Sequence, residues 1–282
     1  AERLSVEGSR GKHSPPSLEH LDARLAVTPD VTQSLDVVSA EVAPLTLNLP
    51  DLGWISGLDD DLPRLAGNGK LELEGRRDGQ GRWQGSAEAR ANSLAFKLKK
   101  FDVRGDVRAE THVVSTPDGE SFSFSRSRVD LWQAQLGSDG HTTAPSSVSV
   151  ASDDLVLRPN DDSKRVTGTV TAHADDARAL LPLVVDSPVM RRIEGALLGL
   201  HTFDAKAAFR VGDVSRVDLL RAQAGIAKAR GAVSLTKQGP TGAFLVSTGV
   251  ANLGVRLSSG ETRVDLFVGD DWLDKHLSGR SH

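Results

Sequence analysis

Few residues of this chain stand at a spacing that could do chemistry. His173, with Asp175 and Asp176 just beyond it, is the tightest grouping of a base with carboxylates, the set that acid–base work or a metal would draw on. It falls where a strand pattern gives way to a helical one, so it reads as a strand-end histidine beside a helix cap. The acidic runs Asp59-Asp60-Asp61, Asp161-Asp162 and Asp270-Asp271 lack the alternating oxygen ligands and closing Glu of a calcium loop. They read as turn formers and caps. Gly67-Asn68-Gly69-Lys70 matches the last residues of a phosphate loop, but Leu71 stands where Ser or Thr must reach the metal, and the upstream glycine is missing.

The other histidines, His13, His20, His112, His141, His201, His276 and His282, do not pair at ligand spacing. Cys is absent, which removes thiol nucleophiles, thiolate metal sites and disulfides together. There is no G-x-S-x-G elbow, no H-E-x-x-H and no S-x-x-K ahead of a convincing helix. Trp54, Trp83, Trp132 and Trp272 are the candidate platforms for a sugar, yet Trp83 and Trp132 fall inside strand patterns. The paired carboxylates of a glycosidase have a tertiary spacing that no sequence displays. The expectation is a non-enzymatic protein with no catalytic residue, no metal and no cofactor.

What repeats instead is a shape: apolar, any, Gly, any, apolar, any, apolar. It runs through Leu65-Gly67-Gly69-Leu71, Trp83-Gly85-Ala87-Ala89, Val103-Gly105-Val107-Ala109, Val166-Gly168-Val170-Ala172 and Ala229-Gly231-Val233-Leu235. A spacing of two puts these residues on one face of an extended strand, with glycines denting the apolar row so that a backbone or ligand can approach. Gly105, Gly168 and Gly231 are equally spaced, since 168 − 105 and 231 − 168 are both 63, a hint of a repeated unit.

The pass along the chain gives a flexible lead-in over 1–19 and a single elongated β-rich domain over 20–282, with a sub-boundary near 173–200. Trp54, Ile55, Leu58, Leu62 and Leu65 stand at helical spacing and predict a short helix. Asp78-Gly79 followed by Gly81 predicts a hairpin with positive φ at the glycines. Asp175 to Leu200 is the most helical stretch, and Asp271 to Leu277 predicts one helical turn. The fold expected is mainly β: an elongated, curved antiparallel sheet forming a groove or open sandwich, with a short helical segment around 175–200. Of the 282 residues, 38% are hydrophobic, with 8 Phe, 4 Trp, 1 Met and no Tyr, so small apolar residues must carry the apolar face. A net charge of −4 argues against nucleic acid, and no apolar run reaches the roughly 18 residues of a membrane span.

Leu62-Pro63 to Gly75, Leu94 to Val107, Asp218 to Val233 and Gly242 to Trp272 resemble the AsmA-like bacterial envelope proteins, the group that includes TamB. That resemblance implies a repeating β-groove in the periplasm, phospholipid transport or outer-membrane biogenesis, and an anchoring N-terminal helix that this chain lacks. Membrane contact would then run through a part not in this chain. The implied partners are phospholipid or another acyl-chain lipid, together with other envelope proteins.

On that reading the lining of the groove is Leu71, Leu73, Val103, Val107, Val166, Val170, Phe209, Val211, Val233, Leu235, Val255, Leu257, Val264 and Leu266. The same alternation also suits a sealed core, and a slip of one residue in register would reverse every assignment. The other expectation is a β-rich scaffold or adhesion module that binds protein partners by strand addition at a sheet edge.

Overall fold

Small apolar residues alternate with charged or hydroxylic ones over most of this chain, and that period of two encodes extended backbone with two unlike faces. The structure is a computed structural model that describes residues 17–20, 23–29, 35–57, 63–98, 101–138, 141–177, 202–236, 239–258 and 261–278. It is mainly β, every ladder with a defined register is antiparallel, and one short α-helix stands among the described residues. The chain divides into two compact units, Ala1–Ser149 and Val150–His282.

The first unit holds β1 (Ser17–His20), β2 (Ala23–Pro29), β3 (Leu35–Leu49), a 3-10 turn (Leu52–Gly57), β4 (Leu65–Arg77), β5 (Trp83–Leu98), β6 (Phe101–Ser115), β7 (Phe122–Ser138) and β8 (His141–Thr142). β9 (Ser146–Ser152) runs across the division. From β2 to β8 each strand pairs with the next, and β1 adds to the end of β3. The second unit holds β10 (Leu155–Leu157), β11 (Val166–Ala174), β12 (Phe203–Val211), β13 (Ser215–Ala224), β14 (Ala227–Thr236), β15 (Gly239–Ser247), β16 (Asn252–Ser258), β17 (Glu261–Leu266) and α1 (Trp272–Ser278). Again each strand pairs with its successor, from β10 to β17.

Three departures from the sequence reading have local causes. Leu65 does not continue a helix: the 3-10 turn ends at Gly57 and Leu65 opens β4, paired with Phe96. In the hairpin at Asp78 only Gly81 takes positive φ, at 84°. The Asp78 carboxylate organises that turn by accepting the Gln80 and Arg82 amides at 2.9 and 3.0 Å. The 63-residue step marks no structural unit either, because Gly105 to Gly168 spans β6 to β11 while Gly168 to Gly231 spans only β11 to β14. The helix expected around 175–200 lies, beyond Ala177, outside the described residues.

The long strands stay in phase through bulges. Between Ala91 and Leu94 of β5, and twice along β7, one strand advances by three residues while its partner advances by two. The extra residues are Ser93, Gln133 and Arg126, with φ near 50°, a region that single non-glycine residues visit at some cost. Asp106 Oδ1 accepts the Ser93 amide at 2.8 Å and holds the first bulge. Each bulge swaps odd for even numbering, so apolar residues remain on one face.

The glycine dents take close approach from the neighbouring strands, by backbone alone at Gly67 and Gly85 and by backbone and side chain together at Gly105, Gly168 and Gly231. A Cβ on Gly231 would meet Phe244 Cδ1 at 2.6 Å, one on Gly168 would meet Leu155 Cδ2 at 2.8 Å, and one on Gly105 would meet Leu131 Cδ1 at 2.9 Å. Gly254 lies on the other face, where the Trp272 indole of α1 occupies the space at 2.5–2.8 Å. Gly75 has only ordinary contacts, the nearest at 3.5 Å. Gly254→Ala should therefore displace the indole and cost about 1–3 kcal/mol, while Gly75→Ala should be neutral or stabilising by about 0.5 kcal/mol. Urea midpoints for the two variants check the ordering.

Candidate functional site

Residues directly opposite each other in an antiparallel pair share a face, so the register alone settles which side chains lie together. In the second unit Val166 and Gly168 stand opposite Val211 and Phe209, and Val170 opposite Ala207. The row continues through Val217 opposite Val233, and Leu235 opposite Ser215. Gly231 and Val233 then face Phe244 and Gly242, and those face Val255 and Leu257. Finally Leu253 and Val255 meet Leu266 and Val264. Every lining residue named for this unit lies on that one face: Val166, Val170, Phe209, Val211, Val233, Leu235, Val255, Leu257, Val264 and Leu266.

The first unit does the same with its own ladder. Leu71 and Leu73 stand opposite Ala89 and Ala87 of β5 and opposite Leu47 and Leu45 of β3. Val107 pairs with Ala91 and Leu131, and Val103 with Phe96 and Leu136. All four nominated residues of this unit, Leu71, Leu73, Val103 and Val107, share the face. Leu94, Phe96 and Leu136 join it only because the bulges reset the phase, which simple alternation does not reveal. Val217, Phe244, Val246 and Leu253 lie on the same face and were not among the nominated lining residues.

These faces are not sealed. No large side chain among the described residues is fully buried. Val103 is the most covered of the set at 7% exposure, Leu71, Leu73, Val107, Val166, Val170, Phe209, Val233, Val255 and Leu257 are half-buried, and Val211, Leu235, Val264 and Leu266 are exposed, Leu266 at 63%. An inward face of a closed sandwich would bury such residues almost entirely.

The opposite faces are ionic. In the first unit Lys70, Arg90 and Arg108 oppose one another, with Glu72, Glu88 and Glu110 in the adjacent row. Like charges directly opposed repel, and the relief comes along each strand. Lys70–Glu72 is 2.9 Å, Arg90–Glu88 2.7 Å, Arg108–Glu110 3.2 Å, and Arg108 also reaches Glu88 at 2.9 Å. The hydrogen bond from Arg90, with the Arg108 charge, holds the Glu88 carboxyl below its usual range. In the second unit α1 covers part of the polar face, packing Leu273 on Ala243 and Leu245, with Val268, Trp272 and Leu277 around them. Trp272 Nε1 donates to Asp265 at 3.1 Å.

The acidic runs and tryptophans singled out in the sequence stand as follows. Asp161 accepts the Ser163 and Lys164 amides at 3.0 Å in a turn, and Asp271 pairs with Lys275 at 2.5 Å. Asp59-Asp60-Asp61 lies outside the described residues. Trp83 and Trp132 are partly exposed, and neither stacks on another ring among the described residues. No group of three metal-ligating side chains forms, and no helix is long and apolar enough to cross a membrane, among those residues.

His173 stands between two carboxylates. On the polar face of β11 its Nδ1 lies 2.9 Å from Asp204 and its Nε2 3.4 Å from Asp175. The Asp204 hydrogen bond, aided by both carboxylate charges, raises its pKa. A raised folded pKa stabilises the protein below the unfolded value, about 6.5, and that gain is lost as pH rises through the folded value. His173→Gln should therefore lower the urea midpoint at pH 5.5 and leave it nearly unchanged at pH 8.5. No family model, curated protein or solved structure matches the chain.

Proposed function

We propose that this protein is a non-enzymatic lipid carrier of the bacterial cell envelope, whose apolar sheet faces hold the acyl chains of phospholipid. The observation that carries this reading is the pairing of two facts: every nominated lining residue in each unit falls on one face, and that face is left unsealed. Exposed apolar surface of this extent is unfavourable in water and marks an interaction site.

An acyl chain needs only a continuous apolar strip. Seven consecutive ladders separate β10 from β17, a width of about 34 Å at the usual strand spacing. One leaflet of a bilayer core is about 15 Å thick, so an acyl chain fits on the face of a single unit. At about 0.8 kcal/mol for each buried CH₂, shielding most of a long chain gives on the order of 10 kcal/mol before association costs. The charges stay on the other face, and the candidates for catalysis serve turns and strand ends. The envelope setting and the transport role rest on the resemblance to the AsmA-like proteins.

Strand addition finds less support. The ladder of the second unit ends at β17, whose polar face carries Glu261, Arg263 and Asp265, the kind of charge that protects an edge. Organic extraction of the gently purified protein followed by mass spectrometry tests the lipid reading. Stoichiometric phospholipid is expected, and Val170→Asp or Val107→Asp should remove it while cooperative unfolding persists. A lipid-free protein that also takes up no added lipid would overturn the reading.

A further inference from the structure

The two ends of the second unit's sheet differ in chemistry. At one end the connections are mostly polar, Pro159 to Arg165 between β10 and β11 and Gly212-Asp213-Val214 after β12, where Val214 is 46% exposed. At the other end three of the described connections each carry a large apolar side chain into solvent. Ile226 in the turn between β13 and β14 is 70% exposed, Val250 between β15 and β16 is 91% exposed, and Phe267 after β17 is 80% exposed. Gly225 and Gly249, with φ of 57° and 84°, make the two turns that present Ile226 and Val250, and Phe267 itself sits at φ 57°, where a bulky residue is held only against a steric cost.

The apolar face runs to this rim without interruption. Phe203 opposes Ala224, Ala224 opposes Ala227, and Leu253 opposes Leu266 at the last paired positions. Immediately behind, on the other face, stand Lys228 and Asp265, charges of both signs. The rim is thus apolar at its tips, apolar on one side and charged on the other, the distribution of a body that enters a membrane interface edge-on. Three separate fingers do not make the contiguous packed patch that a protein partner needs, whereas a fluid lipid surface accepts each of them singly.

We propose that Ile226, Val250 and Phe267 dock the second unit on a lipid bilayer, so that the apolar face opens directly into the acyl region. The proposal rests on the lipid-carrier reading and gives that carrier its loading end. Because the rim carries both signs of charge, docking is driven by apolar insertion and is insensitive to salt.

The test is flotation of the full chain with neutral phosphatidylcholine vesicles at low and high salt. Binding should survive high salt and fall about tenfold or more in the triple variant Ile226→Ser, Val250→Ser, Phe267→Asn, while Val214→Ser at the polar end changes nothing. Should the triple variant lose stability, single Ile226→Trp and Val214→Trp variants with brominated phosphatidylcholine replace it, and added quenching is expected for the first alone. Wild type that does not float, variants that float equally, or equal quenching at both ends would overturn the proposal. Wild type that floats through these tips yet carries and takes up no lipid would sustain the docking and overturn the carrier.

Discussion

Register is the constraint on which everything else in this protein depends. A strand exposes its side chains with a period of two, so a slip of one position would turn Val233, Val255 and Leu257 into the charged face and bring Arg230 and Arg256 among the apolar residues. Over strands as long as β7, twist accumulates and an unbroken ladder would drift. The bulges at Ser93, Arg126 and Gln133 absorb that drift while keeping Leu94, Val129 and Ala134 with their apolar neighbours. Tight packing supports the register locally, as where Phe244 fills the space over Gly231 and Leu155 that over Gly168.

The two faces then take different work. On the ionic face, like charges stand opposite one another across β4, β5 and β6, and each is neutralised by a residue two positions along its own strand. Such exposed pairs add little stability individually, but their alternation disfavours any other register, because a shift would leave the rows unmatched. On the apolar face nothing comparable is satisfied. Its side chains remain partly in water, and under the proposed reading lipid covers them.

The face assignments were legible in the sequence because they depend on alternation alone, and alternation survives in Val166-Gly168-Val170 or Leu253-Val255-Leu257 whatever the tertiary context. The bulges were not legible. Ser93, Arg126 and Gln133 are not residue types that announce positive φ, and by alternation alone Leu94 and Phe96 are out of phase with Ala87 and Ala89. Leu65 matched a helical spacing that pairing with Phe96 overrode. The glycines of the repeat take close backbone approach, as the alternation implied, but Phe244 over Gly231 and Leu155 over Gly168 come from other strands, and Gly254, which the Trp272 indole covers, lies outside the repeat. The role of His173 depends on Asp204, which is distant in sequence and adjacent only through the β11–β12 ladder.

The central claim is that acyl chains lie on one face of the sheet and not on the other. Photocrosslinking from single positions along β16 tests it most directly, with a benzophenone side chain placed in turn at Leu253, Asn252, Val255, Arg256 and Leu257 and the protein loaded with radiolabelled phospholipid. The account requires lipid adducts from Leu253, Val255 and Leu257 and none from Asn252 or Arg256, a period of two set by the register. Adducts of equal yield from both sets, or from neither, would contradict it.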